Sequence, residues 1–279
     1  MTKAYERLLR CYEGIRDRIP FSPKVALVLG SGLGDYADSA AVEGVLDYHD
    51  IEGFPVSTVS GHKGRFVFAY VGGVPVVMMQ GRVHYYEGYP MEDVVLPIRL
   101  MKLMGAEVLF LTNAAGGVNF DFHPGDFMMI TDQIANFVPS PLIGPNIDQL
   151  GERFCDMSQI YDRGLCQVIR DTARELGISL QEGTYIQLTG PNFESPKEVR
   201  MCRILGADAV GMSTAPEVIT AGHCGMDVLG FTLISNMAAG VLPKKLSEEE
   251  VIAAGEAAKD RFSALVLACL EHLDEAGEG

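Results

Sequence analysis

The sequence contains eight short, nearly continuous apolar runs, and these restrict its fold more than any other feature. Val, Leu, Ile, Phe and Met dominate the runs, so a strand formed by any of them has two apolar faces. Such strands are typical of a sheet that is covered on both sides. The predicted strands are 25–29, 66–71, 74–79, 108–112, 127–131, 184–189, 208–212 and 228–235.

Segments with helical periodicity alternate with these strands. Apolar residues recur at helical spacing from Tyr5 to Ile19, and Pro20 ends this first helix. The other predicted helices are 91–104, 161–176, 196–205, 215–223 and 247–273. A capping-box pattern, in which a serine or threonine precedes a glutamate by three residues, occurs at Ser195, Thr214 and Ser247. The alternation of strands and helices predicts an α/β fold.

We expect a single domain over residues 1–279, with a mixed central β-sheet flanked by helices. The chain length and the 48% hydrophobic content allow a substantial core, and no linker-like stretch divides the sequence. The hairpin-like region 66–79 makes the sheet mixed. The segment 132–160 contains prolines and has loop chemistry, which predicts a long loop with a functional role.

Composition excludes several classes of function. The formal net charge of -15 argues against a nucleic-acid surface, because neutralising phosphates requires a basic face. The six cysteines form no C-x-x-C pair and no zinc-like grouping with the six histidines, so we expect reduced, buried cysteines and no metal site. The sequence shows neither the apolar core of a signal peptide nor a membrane span, which predicts a soluble, cytoplasmic protein.

The segment 80–89 follows an apolar run and gathers cationic, aromatic and acidic side chains. Buried strands normally end in small turn residues, whereas this one is followed by Arg82, His84, Tyr86 and Glu87. The guanidinium and the imidazole suit a doubly charged oxyanion, and the aromatic rings suit a sugar or a ring-shaped ligand. We therefore interpret this segment as part of a binding site.

Three further glycine-containing motifs offer small residues or donors to an anion, at 30–34, 61–64 and 113–117. Each alone also fits a turn that needs glycine, and His62 alone also fits a solvated turn. Ligands of open α/β sheets bind at the carboxyl ends of strands, so the three motifs together favour a shared anion pocket. The motif at 30–34 lacks the G-x-G-x-x-G spacing and the acidic partner of a dinucleotide site, which disfavours a dehydrogenase.

The last strands end in further candidates. Phe193 and Glu194 precede a helix, where the ring could instead be ordinary core and the acid could simply favour the helix dipole. Met212 and Ser213 lead into another helix start, which suits an anion. Asn236 ends a strongly apolar strand, where an amide is hard to explain by structure alone.

Together these motifs resemble those of the trimeric purine nucleoside phosphorylases, in the same order and over almost the whole chain. The matching segments are 30–34, 61–64, 81–89, 112–117, 190–194 and 211–214. The resemblance implies a phosphorylase-like fold and reversible phosphorolysis of 6-oxopurine ribonucleosides and deoxyribonucleosides to a free base and a pentose 1-phosphate. Inorganic phosphate would be a co-substrate, and no organic cofactor or metal is indicated.

The resemblance also implies roles for individual residues. Phosphate would be held by Ser31, His62, Arg82, His84, the backbone N–H of Ala114, and Ser213. The nucleoside would be contacted by Tyr86, Phe193, Glu194, Val210, Met212 and Asn236. His84, Glu194 and Asn236 would act in catalysis. Phe154 would reach from a neighbouring subunit of a homotrimer and close the sugar pocket.

One residue departs from the family pattern, and two related functions remain as alternatives. Glu248 stands where the family usually has a histidine that contacts the ribose 5′-hydroxyl; it could accept that hydrogen bond or be an ordinary first-turn acid. An amide at Asn236 disfavours a methylthioadenosine phosphorylase, which carries an acid there. The presence of Arg82, His84 and Asn236 disfavours a non-catalytic purine-binding protein.

Overall fold

The computed structural model describes residues 1–59 and 61–277, apart from the side chains of 274–277. Ser60 and residues 278–279 belong to the domain expected over 1–279 but lie outside the described residues. The described residues form nine β-strands and eight α-helices.

The strands are β1 (Val25–Leu29), β2 (Ala41–Asp47), β3 (Arg65–Val71), β4 (Val74–Gln80), β5 (Val108–Gly117), β6 (Phe127–Ile134), β7 (Leu180–Gln187), β8 (Ala209–Gly211) and β9 (Asp227–Met237). The helices are α1 (Lys3–Ile15), α2 (Tyr36–Ser39), α3 (Met91–Val94), α4 (Leu96–Met104), α5 (Arg163–Glu175), α6 (Pro196–Ile204), α7 (Ala215–His223) and α8 (Glu248–Gly277).

All nine strands belong to one sheet, in the order β2-β3-β4-β1-β5-β8-β7-β6-β9. β2, β3 and β4 are antiparallel neighbours, whereas β1 runs parallel to both β4 and β5. The predicted hairpin of β3 and β4 and the mixed character of the sheet are therefore confirmed. Every residue of β1 is buried, as expected for a strand with helices or other layers on both faces.

The second half of the sheet closes on itself. β5 pairs in parallel with β9 along its whole length, and its last two residues pair with β8 in antiparallel orientation. β8 runs parallel to β7, β7 runs parallel to β6, and β6 is antiparallel to β9. These five strands form a closed ring, and β5 joins the ring to the open part of the sheet.

The helices cover the sheet with apolar faces. In α1 the buried residues are Leu8, Cys11 and Ile15, which share one side of the helix, and the side chain of Thr2 caps its first turn by accepting from the N–H of Tyr5. α1 packs against α4, and α5 packs against α8. α8 also contacts β9, so the last helix lies over the strand that precedes it.

Some elements differ from the sequence predictions for identifiable reasons. β2 is largely exposed and carries Glu43 and Gly44 in its middle, so it lacks an apolar run. α2 has four residues, too few for periodicity to be detected. β5 and β9 extend to Gly117 and Met237, because ring pairing continues through small and polar residues that resemble a turn in sequence.

One of the three predicted capping boxes forms as expected. Ser195 Oγ accepts from the N–H of Glu198 at 3.4 Å, and the Glu198 carboxylate accepts from the N–H of Ser195 at 2.7 Å. The box predicted at Thr214 is wrong, because this residue has a φ of 85° and its side chain does not cap α7. At the start of α8, Glu250 instead pairs with Lys244 at 2.8 Å.

None of the helices among the described residues is both long and apolar enough to cross a lipid bilayer. All six cysteines are free, and all except the half-buried Cys155 are buried. The expected burial is therefore confirmed for five of the six cysteines and is wrong for Cys155.

Candidate active site

One cavity brings together motifs from distant parts of the chain. It lies at the ends of β1, β4, β5, β8 and β9 and encloses about 690 Å³ including its mouth. The candidate residues that line it are Ser31, Arg82, His84, Tyr86, Ala114, Phe193, Glu194, Val210, Met212, Ser213 and Asn236. The anion motifs at 30–34 and 113–117, the segment 80–89 and the base-side motifs thus share one cavity, whereas no residue of the motif at 61–64 lines it.

Arg82 supplies the permanent positive charge in the lining of this cavity. Its side chain is only 2% exposed, and Nη1 donates to Ser213 Oγ at 2.9 Å and to Thr214 Oγ1 at 3.4 Å. Nη2 lies 3.2 Å from a carboxylate oxygen of Glu217. Neither Nε nor Nη2 makes a hydrogen bond to a described group, so the buried guanidinium retains donors for an anionic ligand.

The turn that precedes α7 has an unusual backbone. Thr214 adopts a φ of 85°, which a β-branched residue rarely does, and such strain concentrates at functional sites. Nδ2 of Asn113 donates to Thr214 Oγ1 at 2.9 Å and holds the residue in place. This conformation directs the hydroxyls of Ser213 and Thr214 at Arg82.

His84 and Glu87 form a hydrogen-bonded pair within one 3₁₀ turn, Tyr85–Glu87, and its N-cap. The Glu87 carboxylate accepts from the backbone N–H of His84 at 2.6 Å, from its Nδ1 at 3.1 Å, and from Thr58. Burial opposes ionisation of Glu87, but these hydrogen bonds outweigh it and lower its pKa to about 2. An ionised carboxylate only accepts, so Nδ1 of His84 carries a proton and Nε2 is the nitrogen available to a ligand.

The two histidines of the site are neutral near pH 7. Burial lowers the pKa of His84, although the hydrogen bond to Glu87 opposes the shift. Burial and then the neighbouring His84 lower the pKa of His62 to about 4. Nδ1 of His62 lies 3.1 Å from the carbonyl of Arg82, which can only accept, and Nε2 lies 3.3 Å from Ser31 Oγ. His62 therefore accepts from the Ser31 hydroxyl and contacts the site through that residue.

Close packing of two strands requires glycine at the end of β1. A Cβ on Gly30 would lie 2.5 Å from Cα of Asn113 and 2.9 Å from the carbonyl oxygen of Thr112. Only glycine lets the chain after β1 approach β5 this closely, and Ser31 and Ala114 consequently line the same cavity.

The candidate residues at the end of the cavity away from Arg82 suit a heterocyclic base and a sugar. The Asn236 side chain is 3% exposed and comes from the end of β9. Glu194 is half-buried, and burial followed by the nearby Glu198 raises its pKa. Phe193 is 41% exposed at the mouth, which leaves its ring free to contact a ligand. The ring of Tyr86 stacks on His84 with centroids 4.7 Å apart, which links the sugar side to the anion side.

Three candidate residues lie outside the cavity lining: Phe154, Glu248 and His62, which contacts the cavity through Ser31. Phe154 is 90% exposed within the long loop 135–160, so in a single chain it does not contribute to the cavity. Glu248 is exposed at the first residue of α8, close enough to add to the pKa rise of Tyr86 that burial and Glu87 cause. The described residues contain no group of three or more His, Cys, Asp or Glu side chains that could hold a metal ion.

The structure adds residues that the sequence analysis does not single out. Asn113 and Thr214 belong to predicted motifs but receive no individual role there, and Glu217 is predicted only as a capping-box acid. Leu246 and Val251, on either side of the start of α8, complete the wall of the cavity. These two apolar residues carry no local signal, because only the tertiary fold brings α8 to the cavity.

Comparisons with known proteins agree with this geometry. The family model of the phosphorylase superfamily matches residues 24–271. A purine nucleoside phosphorylase 1 of Geobacillus stearothermophilus is 50% identical over 93% of this chain and 94% of its own length. A Schistosoma purine nucleoside phosphorylase in complex with hypoxanthine superposes with a TM-score of 0.91 at 35% identity, over 97% of this chain and 99% of that chain.

A second solved structure has a different ligand. It is a Schistosoma mansoni purine nucleoside phosphorylase in complex with adenosine, with a TM-score of 0.90 and 36% identity over 95% of this chain and 96% of that chain. Both the family match and the relatives span most of the chain. The chain therefore belongs to the phosphorylase superfamily and, within it, to the purine nucleoside phosphorylase family.

Proposed function

We propose that this enzyme catalyses the reversible phosphorolysis of 6-oxopurine ribonucleosides and deoxyribonucleosides, with inorganic phosphate as co-substrate and without a metal or organic cofactor. The observation that carries the proposal is the position of Arg82. Its buried guanidinium has donors to spare and lines the same cavity as Glu194 and Asn236. The relatives named as purine nucleoside phosphorylases support the same assignment.

In this proposal one end of the cavity holds phosphate. Arg82, Ser213 and the backbone N–H of Ala114 donate hydrogen bonds to its oxygens. The Ser31 hydroxyl, which donates to His62 in the free protein, turns its single proton to a phosphate oxygen when phosphate binds. Nε2 of neutral His84 accepts from a protonated phosphate oxygen. Phosphate fixed in this way lies beside the sugar, where its negative charge stabilises the cation that develops as the glycosidic bond breaks.

The other end stabilises the departing base, which becomes anionic. The carboxamide of Asn236 donates to N7 of the purine as charge builds there, and the Glu194 carboxylate accepts from N1–H. A phosphate oxygen forms the bond to C1′ of the sugar as the bond from C1′ to N9 of the base breaks. Phosphate gives up its proton and the base anion takes one up, so the products are the pentose 1-phosphate and the free base. Tyr86, Val210, Met212 and Phe193 surround the sugar and the base and limit their movement.

The preference for a 6-oxopurine follows from the Glu194 carboxylate. Adenine has no proton on N1, so it would leave the ionised Glu194 carboxylate without its donor, at a cost of about 1–3 kcal/mol. Because the relative from Schistosoma mansoni is described with adenosine, binding alone does not distinguish the two substrate classes. Relative turnover of inosine and adenosine is the informative quantity.

The proposal is tested by measuring base release from inosine with and without phosphate. We expect release that depends on phosphate and yields one ribose 1-phosphate per hypoxanthine. Release that is independent of phosphate would indicate a hydrolase, and binding of inosine without release would indicate a non-catalytic purine-binding protein.

We further propose a homotrimer in which Phe154 completes the site of a neighbouring subunit. Its 90% exposure, together with the exposed apolar Ile143 in the same loop, supports a surface that another chain covers. Glu248, exposed near Tyr86, is proposed as an ordinary first-turn helix acid. A cytoplasmic location is part of the same proposal.

A further inference from the structure

The immediate surroundings of Arg82 contain a buried negative charge outside the cavity lining. The carboxylate of Glu217 lies 3.2 Å from Nη2 of Arg82, and both side chains are 2% exposed. Arg82 lines the cavity and Glu217 does not, so a ligand in the cavity would contact the guanidinium and not this carboxylate. The pair brings together residues that are 135 positions apart in the chain.

Protein stability does not account for this carboxylate. Neither oxygen of Glu217 makes a hydrogen bond to a described group, so its desolvation is offset by one poorly aligned ion pair. Buried pairs of this kind seldom stabilise a fold more than apolar residues of the same size would. Glu217 also occupies the position of a capping-box glutamate, but its carboxylate makes no hydrogen bond to the backbone N–H of Thr214. Its position is therefore explained by Arg82.

The anion end of the cavity has two carboxylates close to Arg82. His62 and His84 are neutral, as their lowered pKa values require, whereas Glu87 beside His84 is ionised. Arg82, Glu217 and Glu87 together leave this end with a net negative formal charge before any ligand binds. Glu217 is the carboxylate that contacts the guanidinium, and its repulsion of a bound phosphate offsets part of the attraction of Arg82.

We propose that Glu217 is a positioning residue that acts as an internal counter-ion of Arg82 and weakens the binding of phosphate. This inference rests on the proposed function, because it requires phosphate to bind beside Arg82. We expect Glu217 to speed product release. The pentose 1-phosphate product carries the same phosphate group, so a site whose buried arginine had no counter-ion would release the product slowly.

The test compares phosphate binding by the full-length wild-type protein and Glu217→Gln, measured by isothermal titration with inorganic phosphate and no nucleoside. The glutamine keeps the size of the side chain and removes its charge. We expect the dissociation constant for phosphate to fall roughly tenfold, because the repulsion between the Glu217 carboxylate and phosphate is removed. Under steady-state conditions with inosine, the phosphate KM should fall in parallel and kcat should fall with it.

Thr220→Val is the matched control. Thr220 is buried on the same helix one turn further on, and its hydroxyl donates to the carbonyl of Pro216 and not to Arg82. This variant should lose stability without a change in phosphate affinity. A second readout is thermal: phosphate should raise the Tm of Glu217→Gln more than it raises the Tm of the wild type or of Thr220→Val.

The outcomes separate the possibilities. An unchanged or weaker affinity for phosphate in Glu217→Gln overturns the inference and assigns Glu217 to structure alone. If that variant does not fold, Glu217→Asp decides, because its shorter carboxylate is drawn away from Arg82 and should tighten phosphate binding to a smaller extent; no tightening overturns the inference. A wild-type protein that does not bind phosphate would instead refute the proposed function.

Discussion

The surroundings of His62 couple the stability of the protein to pH. Its pKa is about 4 in the folded chain, against an ordinary value near 6.5, because burial and His84 disfavour the charged ring. Between these pH values the unfolded chain binds more protons than the folded one, so stability rises with pH across the window and is lost as the pH falls from 6.5 to 4.

Replacing His62 should therefore weaken the dependence of protein stability on pH. We expect His62→Asn to remove roughly 1–3 kcal/mol of the decrease in unfolding free energy between pH 6.5 and pH 4. Urea unfolding at several pH values measures this directly. His123→Asn is the control, because the side chain of His123 is 78% exposed, and it should leave the slope unchanged. An unchanged slope in His62→Asn would contradict the assignment of the window to this residue.

Substrate preference should depend on Asn236. Changing its amide to an acid in Asn236→Asp allows a protonated carboxyl to donate to N7 and the same group to accept from the 6-amino group of adenine. We expect the ratio of kcat/KM for adenosine to that for inosine to increase about tenfold or more. The ratio is measured by base release at saturating phosphate, and an unchanged ratio would argue against contact between Asn236 and the base.

Many of the residues that line the cavity could be predicted from sequence, because they stand in motifs at strand ends. Arg82, Ser213 and Asn236 carry polar groups where an apolar strand offers no structural reason for them. Glu217 could not be predicted in its observed role, since its spacing from Thr214 fits a capping box equally well. The φ of 85° at Thr214, which no sequence pattern specifies, prevents the cap. The Glu217 carboxylate therefore pairs with Arg82 instead of with the backbone.

At the level of elements, α8 lies directly against the turn that carries Ser31. A Cβ on Gly255 would lie 2.7 Å from the carbonyl oxygen and 2.9 Å from Cα of Gly32, and backbone atoms of this kind cannot move aside cheaply. Glycine in the middle of a helix is otherwise unfavourable, so close approach to the turn explains its position.

Gly255→Ala should therefore displace the turn. We expect a loss of about 1–3 kcal/mol in unfolding free energy and a higher KM for phosphate, because Ser31 moves with its neighbours. Gly14→Ala in α1 is the matched control: no atom lies within 4 Å of its added Cβ, and it should stabilise the protein by about 0.5–1 kcal/mol. A loss of stability with an unchanged phosphate KM would show that α8 moves and that the turn carrying Ser31 keeps its position.

The types of the long elements follow from the sequence, whereas their ends and their pairing do not. Five apolar residues in β1 predict a strand, and the apolar residues at helical spacing from Tyr5 to Ile19 predict a helix. The extension of β5 to Gly117 depends on hydrogen bonds with β9 and β8, which are far away in sequence. For the same reason, closure of the ring leaves no local trace that periodicity could detect.

At the scale of the whole molecule, the proposed trimer makes each site a composite of two subunits. Arg82→Ala should lose phosphate binding, and Phe154→Ala should raise the KM for inosine. Mixed trimers formed by refolding the two variants together should regain activity, because about a quarter of their sites combine an intact Arg82 with an intact Phe154. Activity of the mixture that equals the average of the separate variants would contradict a shared site, and native mass spectrometry would establish the number of subunits.

The closed ring has a consequence for self-association. Every described strand except β2 has a neighbouring strand on both sides, so β2 is the strand at the open edge of the sheet. Exposed Val42 and Val45 lie there and would favour aggregation through strand addition. The register shift between Val42 and Gly44 bends the strand, and Glu43 places a charge beside it. The edge strand thus carries its own protection against intermolecular β-pairing.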